Sequence, residues 1–333
     1  MTLPQSSRFA FAEGLTICRL LNGMWQVSGG HGTIDPARAV ADMRAYHEAG
    51  FTTWDLADHY GPAEDLVGRF RQEFAASLGA IQAFTKWVPD PGRMTRRVVE
   101  DAVGVSLRRM RVDRLDLLQF HWWDYADRGY LDALRHLADL RDEGKIRHLA
   151  LTNFDTERLA AIVAHGIRIV SNQVQYSLVD RRPAARMAAF CRDHGVTLLT
   201  YGTLLGGLLS EAWLGRPEPR GGDLATVSLR KYKNMIDAWG GWALFQELLA
   251  ALQPIAARHR VDIAAVGARC ILDRPTVAGI IVGARLGVTE HRAANARILD
   301  LALDAADLAA IEPVLARSRD LIAAIGDCGA EYR

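Results

Sequence analysis

Three features of this 333-residue chain predict a (β/α)8 TIM barrel: short β-rich runs alternate with helical stretches from end to end, glycine closes helix after helix, and the strand candidates number eight. The strands are expected at about 18–27, 52–56, 81–86, 115–121, 148–152, 169–174, 196–201 and 278–283. Ahead of the first, Phe9 to Ile17 reads as a hairpin turned at Glu13-Gly14, a cap for one end of the barrel. Helices follow at Pro36 to Glu48 before Gly50, Ala63 to Phe74, Thr95 to Met110, Tyr130 to Glu143 before Gly144, and Thr156 to Ala164 before Gly166. Arg182 to His194 stops at Gly195, Trp242 to His259 precedes Val261, and Ile263 to Leu272 ends before Pro275. From Glu211 to Gly241, prolines and paired glycines predict a long loop after the seventh strand, and loops of that length are usually functional or mobile. The tail Gly326 to Arg333 reads equally well as an arm closing a pocket or as disorder.

Length alone allows either one large barrel or two ordinary domains, and the unbroken β/α alternation favours a single domain over 1–333. Half the residues are apolar, enough for a sizeable core, and the formal charge of +1 gives no electrostatic pull toward nucleic acid or an anionic membrane. No apolar run approaches the roughly 20 residues needed to cross a bilayer, and Met1 to Ser7 lacks the basic and apolar segments of a leader, so a cytoplasmic location is expected. Cys18, Cys191, Cys270 and Cys328 are too scattered for a metal site, and reduced buried thiols are the expectation.

Chemistry is signalled first by Lys86. It is one of four lysines, with Lys145, Lys231 and Lys233, in a chain that otherwise takes its positive charge from arginine, and it ends the strand Ile81-Gln-Ala-Phe-Thr-Lys86. A lysine ammonium responds to burial and neighbours in a way that guanidinium does not. Two other strands end in groups that complete an acid–base set: Thr52-Thr-Trp-Asp55 with Tyr60 just beyond, and Leu115 to His121. In a barrel such ends converge on one mouth. Asp55 is expected to hold Lys86 charged, Lys86 to lower the pKa of Tyr60 so that the phenol can pass on its proton, and His121 to donate a hydrogen bond to a substrate oxygen. No metal is needed for such chemistry.

Asp55-Leu-Ala-Asp-His-Tyr60, Lys86 and His121 resemble, in type, order and approximate spacing, the catalytic tetrad of the aldo-keto reductases. Leu151-Thr-Asn-Phe, Ser171-Asn-Gln-Val-Gln-Tyr-Ser177 and Tyr201-Gly-Thr-Leu-Leu-Gly-Gly extend the similarity to about residues 9 to 320. The resemblance implies that Thr152, Asn153 and Gln173 bond a nicotinamide carboxamide, and that Tyr201 stacks on its ring with Gly202, Thr203 and Leu204 alongside. In the loop Ile281 to Asn295, Gly283 is expected at a cofactor phosphate and Arg285 (or Arg292) at a 2′-phosphate, with Asn295 on the helix that follows. The family usually shows Lys-Ser where this chain has Gly283-Ala284. NADP(H) is the expected cofactor, with NAD(H) also open, and the expected reaction is reduction of an aldehyde or ketone. The rival from another class is a nicotinamide-binding regulatory protein of the channel β-subunit type. A monomer is acceptable on the same resemblance.

Trp25 and Trp87 are expected to wall an apolar pocket, with Trp122 beside them, although Trp122 and Trp123 read equally well as core. Such walls suggest a moderately large apolar or aromatic carbonyl compound. Trp54 precedes Asp55 and points the other way along its strand, into the core. Asp58 and His59 are expected on solvated surface.

Overall fold

The computed structural model describes residues 3–29 and 34–332, so Arg333 of the tail lies outside the described residues. Arg8–Ala12 (β1) and Leu15–Cys18 (β2) pair antiparallel, and Gly14 takes the left-handed φ of +65° at the turn between them. Among the described residues, eight further strands close a parallel barrel: Leu20–Gly23 (β3), Thr53–Asp55 (β4), Gln82–Trp87 (β5), Leu115–Phe120 (β6), Ile146–Thr152 (β7), Ser171–Gln175 (β8), Thr197–Tyr201 (β9) and Val277–Gly283 (β10). They follow one another around the ring, and β10 pairs with both β9 and β3 to shut it.

The expected first strand, 18–27, is divided. Arg19 turns the chain from hairpin to barrel: its N–H donates to Ser7 O (2.7 Å), its carbonyl accepts from Ile280 N (2.8 Å), and its guanidinium bonds the Val277 carbonyl (2.9 Å). Past Gly23 the chain leaves the sheet for a 3-10 turn at Trp25–Ser28. The hairpin does seal the lower end of the barrel. Phe11, Leu15 and Ile17 pack with Leu21, Phe84, Leu117, Ala150, Leu199 and Ala278, all of them buried. His148 Nε2 ties the arrangement to the wall at Glu13 O (3.0 Å).

Alternation along the strands then sorts side chains by face. Trp54, Ala83, Leu118, Phe120, Leu149 and Leu151 lie in the large cluster shared with the helices, where Trp54 packs on Tyr46. Phe84, Leu117 and Ala150 belong to the apolar plug near the hairpin. Two residues on from each, Lys86, Gln119 and Thr152 occupy the inward positions nearer the other end, and Asp55 joins them from β4. Phe84, Leu117 and Ala150 fill the barrel from below, leaving its polar residues to meet at the top.

The 211–241 stretch departs from expectation by containing a 13-residue helix, Val227–Trp239. Thr226 caps it by accepting from Leu229 N (3.1 Å), and Tyr232, Met235, Ile236 and Trp239 form its buried face. Lys233 pins the preceding loop through Glu218 (2.6 Å) and its own helix through Asp237 (2.6 Å). The expected helix 182–194 breaks in two at Arg186, into Arg182–Ala185 and Met187–Asp193. No helix of the described residues is long and apolar enough to cross a membrane, and the four cysteines are buried thiols.

Candidate active site

At the open end of the barrel, Asp55, Tyr60, Lys86 and His121 line one cleft of about 300 Å3. Lys86 Nζ donates to Asp55 Oδ2 (2.6 Å) and to the Leu56 carbonyl (3.0 Å). The other Asp55 oxygen accepts from Gln119 Nε2 (2.9 Å) and Gln173 Nε2 (2.7 Å), and Gln173 Nε2 also reaches Gln119 Oε1 (2.6 Å). Both ions are almost fully buried, so each is held by geometry that leaves little room for another arrangement. Burial pulls the Lys86 pKa below its ordinary value, while the Asp55 carboxylate draws it back up.

The effect on Tyr60 reverses the expectation. Lys86 Nζ stands 5.1 Å from the centre of the Tyr60 ring, yet the phenol is pushed well above the ordinary tyrosine range. Burial is the main cause, because it penalises the phenolate, and the carboxylates of Asp55 and Asp58 add to it. A lysine already neutralised by Asp55 offers the phenol a dipole instead of a bare cation. Burial and the two carboxylates therefore favour the neutral phenol of Tyr60 over the phenolate.

His121 Nδ1 lies 3.1 Å from the Thr152 carbonyl. A carbonyl only accepts, so Nδ1 carries a proton, and a neutral ring presents a lone pair at Nε2. Donation to a substrate oxygen from Nε2, as expected from the sequence, therefore requires the imidazolium.

Aromatic rings form the walls. Trp25, 38% exposed, meets Tyr60 edge to face at 5.0 Å, and Trp123 packs on His121 at 4.3 Å. Trp87 and Trp122 are not among the lining residues, which corrects their placement in the pocket. Trp87 packs on Phe120 at 5.5 Å within the core. Trp122 is fully buried, with its indole N–H between the carbonyls of Asp124 (2.7 Å) and Asp127 (2.9 Å). It follows that Trp122→Phe, which loses the indole N–H bonds, costs about 1 kcal/mol of stability in a denaturant melt and leaves the cleft walls in place, whereas Trp25→Ala removes one of those walls. Asp58 is not plain surface either. Its carboxylate accepts from Val88 N (3.2 Å) and contacts His59 Nδ1 (2.8 Å), and His59 lines the cleft.

Of the residues expected at a cofactor, Thr152, Asn153, Gln173 and Tyr201 line this same cleft. Asn153 adopts a left-handed φ of +59°, unusual outside glycine but most accessible to asparagine. Its Oδ1 accepts from the Tyr201 hydroxyl (2.7 Å). Gln173 has its amide nitrogen committed to Asp55 and Gln119, so what it can offer a carboxamide is its oxygen. Gly202 has φ +71°, and a Cβ there would come within 2.6 Å of the Tyr232 hydroxyl. Thr203 is buried with its hydroxyl donated to Tyr176 O (3.1 Å), and Leu204 is half-buried, so neither faces the cleft. Gly283, Arg285 and Asn295 also lie outside it: Gly283 pairs with Gly23 at the top of β10, Arg285 is exposed on the following loop, and Asn295 is buried on the helix Arg292–Asp300. Arg292 is occupied by Glu290 (2.8 Å).

Gln119, Lys231, Tyr232 and Tyr332 belong to the site and were not singled out from sequence for it. Gln119 had a signal, since it sits midway between Leu117 and His121 on the inward face. Lys231 had its rarity. Tyr332 belongs to the tail, for which an arm closing a pocket is one of the two readings, but nothing local singles out that residue. Glu331 fastens the tail at the barrel mouth, pairing with Arg182 (2.9 Å), which is itself buried against Asp180 (2.7 Å).

The model of the aldo/keto reductase family matches residues 19–316. The NADH-specific methylglyoxal reductase of Escherichia coli (strain K12) is 24% identical over 315 residues, which take in 88% of this chain and 93% of that protein. Flagellar radial spoke protein 5 of Chlamydomonas reinhardtii is 33% identical over 177 residues, 48% of this chain but only 33% of that longer protein. Among solved structures, an aldo/keto reductase from Klebsiella pneumoniae in complex with NADP and acetate superposes with a TM-score of 0.69 at 23% identity, covering 93% of this chain and 95% of its own.

Proposed function

The chain belongs to the aldo/keto reductase family, and from that premise we propose that it reduces an aldehyde or ketone to the alcohol with a nicotinamide cofactor, NADPH in preference and NADH as an alternative. The single observation carrying this reading is the convergence of Tyr60, His121 and the buried Lys86–Asp55 pair on one cleft that Asn153, Gln173 and Tyr201 also line. The donor set suits a nicotinamide: a tyrosine ring for its face and an uncommitted amide oxygen for its carboxamide NH2. When bound, the reduced nicotinamide supplies a hydride to the carbonyl carbon. Tyr60 gives its proton to the oxygen as alkoxide charge builds there, and an alkoxide is a base strong enough to take it even from a phenol held above its ordinary range. His121, which lines the same cleft with its ring fixed at the Thr152 carbonyl, orients the substrate beside that oxygen. Lys86 and Asp55 position the phenol and return the charge balance once its proton has gone. Arg285, exposed and in no ion pair among the described residues, is the group suited to a 2′-phosphate. The Klebsiella structure holds NADP while the Escherichia coli relative is named NADH-specific, so both cofactors fall within the family.

Loss of NADPH absorbance with a panel of aldehydes tests the reading. Steady turnover is expected. Tight binding of NADPH with no turnover across the panel would instead favour a regulatory nicotinamide-binding protein. The pH profile adds a second check. A group whose pKa is raised stays protonated to higher pH, so reduction under saturating conditions should hold level from pH 7 to beyond about 9, without the loss that an acidified phenol would cause. A decline centred near pH 8 would remove Tyr60 from the role of acid.

A further inference from the structure

Two ammonium groups reach the cleft, and only one is neutralised there. Lys86 is paired with Asp55. Lys231, from the helix Val227–Trp239, has no carboxylate partner among the described residues, and Asp55 is the one carboxylate among the residues that line the cleft. The Lys231 ammonium is instead caged by phenol rings, with Nζ at 5.0, 5.4 and 4.3 Å from the centres of Tyr201, Tyr232 and Tyr332, and it hydrogen-bonds the Tyr332 hydroxyl. Ring faces attract a cation without discharging it, so N–H donors are left for an anion.

The cage is built, not incidental. Tyr232 packs against the bare backbone of Gly202, where a Cβ would collide with its ring. Tyr332 is carried in by the tail, which is fastened by the buried Glu331–Arg182–Asp180 chain and by Arg182 bonds to the carbonyls of Gly326 (3.3 Å) and Asp327 (3.1 Å). The Tyr332 hydroxyl also lies 3.1 Å from that of Tyr201. Fixing a long, flexible lysine at several points in a cleft with an uncompensated positive charge is a recognition device for a negative ligand.

Resting on the carbonyl-reductase reading above, we propose that Lys231 is the anchor for an anionic group, carboxylate or phosphate, carried by the carbonyl substrate. Tyr332 spans the two ends: its ring is 6.4 Å from that of His121 and 4.3 Å from the Lys231 ammonium. The charged group and the reacting carbonyl are therefore a few bonds apart, which selects small ω- or α-substituted oxo acids and sugar-phosphate-like aldehydes over neutral ones.

The test compares kcat/KM for 4-oxobutanoate against butanal and for glyceraldehyde 3-phosphate against glyceraldehyde, in the wild-type protein, Lys231→Met and Lys231→Arg. The wild type should prefer at least one charged member. Lys231→Met should lower that charged-to-neutral ratio about 10- to 100-fold, the loss of one charge-assisted hydrogen bond, through KM, and Lys231→Arg should restore most of it. Which pair responds distinguishes carboxylate from phosphate. A ratio unmoved by Lys231→Met, or a loss confined to the NADPH dissociation constant, overturns the proposal and leaves the reductase reading standing. If the wild type turns over no aldehyde of the wider panel either, the reductase reading fails, and the anion site is then judged by quenching of tryptophan fluorescence with succinate and inorganic phosphate: saturation lost in Lys231→Met supports it, and identical curves overturn it.

Discussion

A Tyr60→Phe protein should bind NADPH as tightly as the wild type and reduce aldehydes about 10²- to 10⁴-fold more slowly, the usual contribution of a positioned general acid. The substitution removes one oxygen and keeps the ring, so the edge contacts with Trp25 (5.0 Å) and His59 (4.9 Å) and the cation–π contact with Lys86 (5.1 Å) all survive. Thermal unfolding should accordingly change little. Cofactor affinity should be insulated because the residues proposed to hold the nicotinamide lie elsewhere, Gln173 and Tyr201 on β8 and β9 and Asn153 just past the end of β7, with their own partners. Stopped-flow reduction and fluorescence titration separate the two quantities, and turnover within twofold of the wild type would take the proton from some other group.

The second large effect belongs to Lys86→Met. Deleting the ammonium leaves the Asp55 carboxylate buried with only the Gln119 and Gln173 amides, and removing one partner of a buried ion pair costs about 3–5 kcal/mol. Asp55→Asn in the same chain should recover most of that stability, because an amide needs no counter-ion and still accepts from both glutamines. Turnover should not recover, since the proton donor loses its positioning cation in both proteins. Denaturant melts of the two single variants and the double variant, with kcat measured alongside, give the cycle. Additive losses of stability would show that the pair is not coupled.

Much of this was readable from sequence because barrel strands impose a period of two. Trp54 and Asp55 had to face opposite sides, and Lys86 and His121 had to come to the same end as Asp55, whatever the details of packing. Trp87 and Trp122 were misplaced for the same reason seen from the other side: each directly follows an inward residue, and so turns out to the helices. The helix Val227–Trp239 was hidden behind a run of glycine and proline, although its apolar spacing was present. The direction of the Tyr60 shift depended on burial and on Lys86 being already paired, neither of which a strand pattern reports. Tyr332 owes its place to a contact 149 residues away in sequence, Glu331 to Arg182, and long-range ion pairs leave no local signature.

The most direct test of the account follows the atoms. With 4,4-dideuterated NADPH and an aldehyde substrate, mass spectrometry should find one deuterium on the carbinol carbon of the alcohol formed by the wild-type protein, at a rate that collapses in Tyr60→Phe. Product free of deuterium at that carbon, or labelled equally fast in the absence of the Tyr60 hydroxyl, would contradict it.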